Sequence, residues 1–269
     1  GQNAGFLGGR FDPLQINSDP NSENFQIRNL TLPAGLTPGR MTTRTQLLQS
    51  LEQQVGVSRQ HALQDYREIG QELLHSSRIQ TAFRIQEEDA GVRDRYGRSK
   101  LGQSLLLARR LVEAGVRFIN VNDKVLNGQE ANWDSHANIF PRHRELLQPT
   151  DQGLSALLDD LEQRGLLEST LVVVTGEFGR SPRVNANAGR DHWPDCYSVV
   201  LAGGGVKGGY LFGESDRMAA YPIADAVTPG DLSATLFKRF GIDPKTELHD
   251  PLSRPFPISP GEPIMELFG

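Results

Sequence analysis

The chain has 269 residues, with 37% hydrophobic residues, 23% charged residues and a formal net charge of -5, enough to build one large domain or two small ones. The acidic balance and the scattered basic residues argue against a nucleic-acid surface, and no apolar run approaches the roughly 20 residues of a membrane span. Cys196 is the only cysteine, which excludes an internal disulfide.

Residues 1–95 are predicted to form an irregular segment followed by a helical cap, packed on the main body. Residues 1–40 are rich in turn formers, and only a short strand such as Phe25–Leu30 is predicted there. From Thr43 to Phe83, apolar residues recur at three- and four-residue steps, which indicates two or three helices. The chain begins at Gly1 rather than at a methionine, so we expect a processed or truncated piece of a longer precursor.

Residues 96–269 are predicted to form the main α/β body. An amphipathic helix is predicted at Ser104–Ala114, a strand at Val116–Val121, a long helix at Arg142–Arg164 and a strand at Leu171–Thr175. The last strand opens on an apolar run, so we expect it to be buried on both faces. This alternation of helix and strand predicts a parallel sheet sandwiched by helices.

Further elements are predicted towards the C-terminus. Ser198–Ala202 reads as a buried strand and Tyr210–Phe212 as a shorter one. Thr228 is a predicted helix N-cap, with a proline at the first helical position, and Gly241 is the predicted end of that helix. From Pro244 onward the proline-rich tail is predicted to be extended.

Carboxylates and imidazoles follow two of the predicted strands. Asp134 and His136 follow the first, whereas Glu177, Asp191 and His192 follow the second. Adjacent parallel strands would bring these loops together at one sheet edge, and a carboxylate and an imidazole from each loop suit a divalent ion such as zinc or manganese. The alternative is that Asp134 caps a helix or turn and that His192 is an ordinary surface or core histidine.

Four blocks of the sequence are distinctive, namely Asn132–His136 (NWDSH), Gly176–Pro182 (GEFGRSP), Asn187–Pro194 (NAGRDHWP) and Leu201–Gly209 (LAGGGVKGG). These blocks resemble the DUF1501 family, and the resemblance runs along nearly the whole chain. It implies membership of the alkaline phosphatase and sulfatase superfamily, whose fold is a large parallel sheet sandwiched by helices with two metal sites at the strand ends.

The resemblance also implies a metal-ligand set. Asp134, His136 and His192 match, in order, the trio that holds one metal in the superfamily, with zinc, manganese or calcium as the expected ion and Asp191 expected nearby. The other metal takes an Asp-His pair directly after a strand, and Glu177-Phe178 stands in its place. A carboxylate at Glu177 is still a metal ligand, but the phenylalanine is not, so the second site is expected to be weakened or altered.

The resemblance further suggests how an anionic substrate would be held. Arg180 and Arg190 are the candidates, because a guanidinium offers paired N–H donors to phosphate or sulfate. The alternative is that they form structural ion pairs with Glu177 or Asp191. Family members extend further at the N-terminus, where the superfamily nucleophile lies, so the nucleophile is expected to be absent from this chain or supplied by a separate chain.

The resulting functional prediction is a metal-dependent hydrolase of phosphate or sulfate esters. Its expected partner is an anionic ester or a sulfated glycan, with the missing N-terminal segment as a second expected partner, and an exported, periplasmic or cell-surface location is expected. The alternative is a non-catalytic, degenerate member that acts as a binding or structural protein at the cell surface, which Phe178 and the missing front segment favour. Neither a nucleic-acid partner nor a membrane span is expected.

Overall fold

The structure is a computed structural model that describes residues 3–27, 35–55, 70, 76–123 and 133–269. The contacts of the chain group it into two compact units, Gly1–Val121 and Asn122–Gly269. The end of the strand predicted at Phe25–Leu30 lies outside the described residues, as does the middle of the helical region predicted at Thr43–Phe83. The predicted division into residues 1–95 and 96–269 stays a prediction.

Helices form the regular structure that is described in the first unit. These are α1 (Pro38–Val55), α2 (Ser77–Phe83), α3 (Ala90–Arg95) and α4 (Lys100–Glu113). The helix predicted at Ser104–Ala114 is confirmed as α4, which begins earlier because the Ser99 side chain accepts a hydrogen bond from the backbone N–H of Gly102 at 3.0 Å. α4 packs against α2 and buries Leu106 and Leu111.

A buried ion-pair cluster fastens α4 to the segment before α3. Arg109 is 1% exposed, and its Nη2 lies 2.8 Å from Oε2 of Glu88. Arg110 reaches the same carboxylate oxygen at 2.6 Å. Two guanidinium groups on one carboxylate hold the pKa of Glu88 below its usual range despite burial, because the charged form keeps its partners.

Two long helices and eight short strands make up the regular structure described in the second unit. The helices are α5 (Ile139–Gln163) and α6 (Pro229–Arg239). Together they confirm the predicted helices at Arg142–Arg164 and after Thr228. In chain order, the strands are β1 (Val172–Val174), β2 (Gly179–Arg180), β3 (His192–Trp193), β4 (Val200–Ala202), β5 (Glu214–Ser215), β6 (Pro222–Ala224), β7 (Glu247–His249) and β8 (Pro255–Pro257).

The strands pair as four antiparallel two-stranded sheets, β1 with β4, β2 with β3, β5 with β6 and β7 with β8. No parallel pair occurs in the part of the chain that the structure describes. Residues 116–121, predicted to be a strand, carry no strand pairing there. Alternating hydrophobicity signals a half-buried extended segment, but only a neighbouring strand makes it part of a sheet.

The strands predicted at Leu171–Thr175 and Ser198–Ala202 form as β1 and β4, with Val173 opposite Leu201. The prediction that β1 is buried on both faces is wrong, because its residues are only half-buried and Val200 of β4 is 56% exposed. An apolar run identifies a strand by its residue types, whereas burial depends on what the fold lays over each face.

Two further predictions towards the C-terminus are corrected. Residues 210–212 have no regular structure, and the chain pairs slightly later, at β5. The tail after Pro244 is extended only in part, because β7 and β8 fold back on each other as a hairpin with Leu248 opposite Phe256. No helix in the described ranges is both long and apolar enough to cross a membrane.

α6 begins with the predicted cap. The Thr228 hydroxyl oxygen accepts the backbone N–H of Asp231 at 3.1 Å, and the Asp231 carboxylate accepts the backbone N–H of Thr228 at 2.9 Å. This reciprocal pair is a capping box, and it satisfies N–H groups that have no partner inside the helix. The backbone N–H of Glu262 also donates to Asp231, at 2.8 Å. One carboxylate therefore ties the helix start to the C-terminal tail.

We expect the Asp231→Asn variant to be less stable than the wild type near neutral pH by roughly 1 kcal/mol, since the lost interactions are charge-assisted but solvent-screened. Hydrogen bonds from Thr228 and from Glu262 hold the pKa of Asp231 below its usual range. The native carboxylate therefore stabilises the fold fully above the ordinary pKa of an aspartate, and its contribution is lost as the pH falls through the lowered pKa.

Urea unfolding at a series of pH values measures the difference between the two proteins, which should shrink on acidification. The exposed Asp195→Asn variant is the control and should match the wild type throughout. A difference in the free energy of unfolding that stays constant down to acid pH would contradict the stabilising role of the Asp231 carboxylate.

Candidate metal centre

A short hairpin places the first two residues of the site. β2 and β3 pair so that Arg180 lies opposite His192 and Gly179 opposite Trp193. Residues directly opposite each other on an antiparallel pair project to the same face, so Arg180 and His192 point the same way. Gly179 is required here, because a Cβ at this position would lie 2.0 Å from the carbonyl oxygen of Cys196.

The loop before α5 is joined to the hairpin loop by backbone hydrogen bonds. Residues 135–139 run alongside residues 187–190, so Asp134 and His136 are carried to the hairpin. Gly189 allows the close approach, since a Cβ there would lie 2.0 Å from the carbonyl carbon of His136. The bonds run from Arg190 N to Ser135 O (3.0 Å), from Asn138 N to Asn187 O (3.1 Å) and from Ile139 N to Ala188 O (2.8 Å).

These two loops bring Asp134, His136 and His192 together. Oδ1 of Asp134 lies 2.9 Å from Nε2 of His136 and 2.9 Å from Nε2 of His192. One ligand atom from each residue lies within 4.8 Å of the other two. Ligands about 2.1 Å from a tetrahedral ion are themselves about 3.4 Å apart, so a small divalent cation would require both imidazoles to move away from their 2.9 Å contacts with Asp134.

The three side chains are open to solvent on one side. Their exposed fractions are 38% for Asp134, 46% for His136 and 47% for His192. Three protein ligands with solvent access are typical of metal sites that keep a position free for water or substrate. The trio can therefore both hold a cation and leave it accessible.

Arg180 contacts the same carboxylate oxygen as the two imidazoles. Its Nη1 lies 2.7 Å from Oδ1 of Asp134, and its Nη2 donates to the carbonyl oxygen of Trp133 at 3.2 Å. The ion-pair partner of Arg180 is therefore Asp134, rather than the Glu177 or Asp191 considered in the alternative. Nη1 has no hydrogen-bond partner among the described residues, because its approach to Asp134 lacks hydrogen-bond geometry.

These contacts set the protonation state of the carboxylate. The hydrogen bond with His192, followed by the close approach of the Arg180 guanidinium, lowers the pKa of Asp134 to about 2. Asp134 is therefore ionised over the physiological range, which is the form that binds a cation. The hydrogen bond with Asp191 raises the pKa of His136.

Asp191 and Glu177 do not join the trio as predicted. Oδ1 of Asp191 lies 3.0 Å from Nδ1 of His136, which is the ring nitrogen that does not face Asp134. Glu177 is exposed, and it is absent from the cluster of ligand atoms formed by the described residues. The expectation that either residue is a direct ligand therefore lacks support from the geometry.

Arg190 enters the site mainly through its backbone, which bonds to Ser135. Its side chain is half-buried and contributes, after burial and after Arg180, to lowering the pKa of His143. His143 packs edge-on against Trp133, with ring centroids 5.6 Å apart. Arg190 is thus close enough to the site to act on its electrostatics.

Sequence reasoning missed two residues that shape the centre. Phe178, noted only as a lost ligand, packs on the His192 ring with centroids 4.5 Å apart. Asn185 hydrogen-bonds to both loops through its side chain. The Asn185–Gly189 run signals a turn by its composition, but composition does not reveal which side chains an asparagine bonds.

Comparison with known proteins identifies a family whose model matches the chain. The model of a family described as "Protein of unknown function (DUF1501)" matches residues 1–268. No curated protein and no solved structure matches the chain. The match covers both loops of the candidate metal centre.

Replacing Gly189 with alanine should separate the two loops. The new Cβ would overlap the His136 carbonyl group, and such overpacking costs about 1–3 kcal/mol. We expect a lower urea midpoint, and a weaker zinc affinity in calorimetric titration. Gly208→Ala is the matched control, because a Cβ at Gly208 meets nothing within 4 Å. Equal behaviour of the two variants would contradict the close approach.

Proposed function

The chain belongs to the DUF1501 family, and we propose that it is a metal-dependent hydrolase of phosphate or sulfate esters. The observation that carries the proposal is the convergence of Asp134, His136 and His192 from two loops, with their ligand atoms within 4.8 Å of one another. The order of these residues, which resembles that of the alkaline phosphatase and sulfatase superfamily, supports it further.

The donor set favours zinc or manganese as the metal. Two imidazole nitrogens and one carboxylate oxygen suit borderline transition metals, whereas calcium prefers six to eight oxygen ligands. A divalent cation bound there would supply Lewis-acid chemistry, polarising an ester oxygen and lowering the pKa of an attacking group. The residues of this chain are proposed to bind the cation, orient the ester and neutralise its negative charge.

Arg180 is the proposed contact for the anionic ester. Its Nη1 lies against Asp134 without hydrogen-bond geometry, and a cation on the same oxygen would repel the guanidinium. Release of Arg180 from Asp134 would turn its N–H donors towards phosphate or sulfate oxygens, for which a guanidinium fork is well matched. Arg190 is the second candidate for this role, since its backbone N–H bonds to Ser135 in the loop that carries Asp134 and His136.

The fold proposed for the whole family member is the alkaline phosphatase type, with a parallel sheet sandwiched by helices. Its support is the resemblance of the sequence blocks around the site. Among the described residues the strands pair only antiparallel, so the proposed parallel sheet rests on the resemblance alone. The substrate class, an anionic ester or sulfated glycan, is proposed on the same basis.

One observation favours a second candidate function, a non-catalytic binding or structural role. Phe178 stands where the superfamily has a second metal ligand, and its ring covers one face of His192 at 4.5 Å. A phenylalanine at that position is not a metal ligand, so one metal is proposed rather than two. A single-metal site of this kind would serve to bind an anion or glycan without turnover.

We expect the purified protein to bind one equivalent of zinc or manganese, and His136→Ala and His192→Ala to bind none, because each removes one of three ligands. Elemental analysis after gel filtration measures the metal content. His249→Ala is the control, since His249 lies on β7 outside the trio. Metal content that is unchanged in both trio variants would overturn the metal assignment.

Arg180→Lys should lower kcat/KM for an aryl phosphate or aryl sulfate at least tenfold, because an ammonium group cannot form the paired contacts of a guanidinium. Initial rates with zinc or manganese present, and again after chelation, measure the effect. The exposed Arg183→Lys variant, from the same loop, is the control and should match the wild type.

Turnover that survives chelation would contradict metal dependence. A protein that binds metal but turns over neither ester would replace the hydrolase with the binding role.

A further inference from the structure

Asn185 satisfies its whole hydrogen-bonding capacity within the two loops. Its Oδ1 accepts the backbone N–H groups of Asn187 at 3.0 Å and Gly189 at 2.9 Å. Its Nδ2 donates to the carbonyl oxygen of His136 at 3.1 Å and to Oδ1 of Asp191 at 3.2 Å. A carboxamide has two donor hydrogens and an acceptor oxygen with two lone pairs, so every one of these has a partner.

The Asp191 carboxylate is aimed by its surroundings. Its backbone N–H donates to the Ser181 hydroxyl oxygen at 3.1 Å, and its carbonyl oxygen accepts the Ser181 N–H at 2.8 Å. With the main chain held in this way, Oδ1 of Asp191 accepts a hydrogen bond from Nδ2 of Asn185 and lies 3.0 Å from Nδ1 of His136. The carboxylate therefore bridges the asparagine and the imidazole.

We propose that Asn185 and Asp191 form a hydrogen-bonded pair, the relay, that positions the His136 ring. Asp191 accepts the Nδ1–H of His136, so that Nε2 faces Asp134 and His192. A histidine binds a cation through the lone pair of one nitrogen, so the other nitrogen must carry the proton. Ligating histidines commonly donate that N–H to a carboxylate, which fixes the ring and raises its basicity.

This assignment replaces the prediction that Asp191 is itself a ligand. Its carboxylate lies on Nδ1 of the ring, whereas Nε2 is the nitrogen that lies 2.9 Å from Asp134. The part of the proposal that concerns metal affinity rests on the proposed metal site. The part that concerns the ring of His136 does not.

The Asn185→Asp variant distinguishes a role of Asn185 in positioning His136 from a role in stabilising the loop backbone alone. The new carboxylate keeps oxygens for the N–H groups of Asn187 and Gly189, but it places an acceptor and a negative charge where two N–H donors met His136 and Asp191. Asn187→Asp is the matched control, because it makes the same charge change in the same loop, and Asn187 enters the network through its backbone.

Calorimetric titration with zinc measures the effect on affinity. We expect Asn185→Asp and Asp191→Ala to weaken zinc binding by about 10- to 100-fold, and Asn187→Asp to stay within about threefold of the wild type. Circular dichroism checks that each variant is folded. If Asn185→Asp does not fold, Asp191→Ala alone tests the proposal. Zinc affinities equal to that of the wild type in the folded variants would overturn it.

Nitrogen-15 NMR of the His136 ring provides a readout that a purely structural role would not move. In alkaline buffer without metal, Nε2 of His136 also faces the Asp134 carboxylate at 2.9 Å, so the expected result is that the wild type shows more of the Nδ1–H tautomer than either relay variant. With zinc bound, Nδ1–H should persist. An Nε2–H tautomer in the zinc-loaded protein would show that Nε2 does not bind the metal and would overturn the proposal. If the wild type binds no zinc, the proposed function fails, while the metal-free spectra still decide the relay.

Discussion

A single carboxylate oxygen, Oδ1 of Asp134, organises the candidate metal centre. Two imidazoles and one guanidinium converge on it, from His136, His192 and Arg180. The hydrogen bond with His192 and the nearby guanidinium of Arg180 favour its charged form, which is why the pKa of Asp134 falls to about 2. The backbone of the two loops holds these side chains close to Asp134, so both loops together surround this one charge.

That architecture depends on close backbone approach more than on a large sheet. Gly179 lets the β2–β3 hairpin close against Cys196, and Gly189 lets the hairpin loop lie on the backbone of His136. Backbone hydrogen bonds between the two loops then fix their register. Because these bonds join main-chain atoms, the site can stay partly exposed and still keep its geometry.

The same crowding bears on function. A cation and a guanidinium compete for Asp134, so occupation of the site and release of Arg180 towards an anion are linked in the proposed hydrolase. Phe178 packs against the ring of His192. Asp191 lies against Nδ1 of His136, and Asn185 bonds to the backbone carbonyl of the same residue.

The sequence alone determined the elements whose signals are local. The cap at Thr228 and the periodicity before Gly165 predicted α6 and α5, and the motif blocks singled out Asp134, His136 and His192. Only the tertiary structure decided that β1 pairs antiparallel with β4 and is half-buried, that Arg180 pairs with Asp134, and that Asp191 meets Nδ1 of His136. Periodicity and caps report interactions within a few residues, whereas strand partners and side-chain contacts join positions far apart in the chain, and those distances are set by the fold.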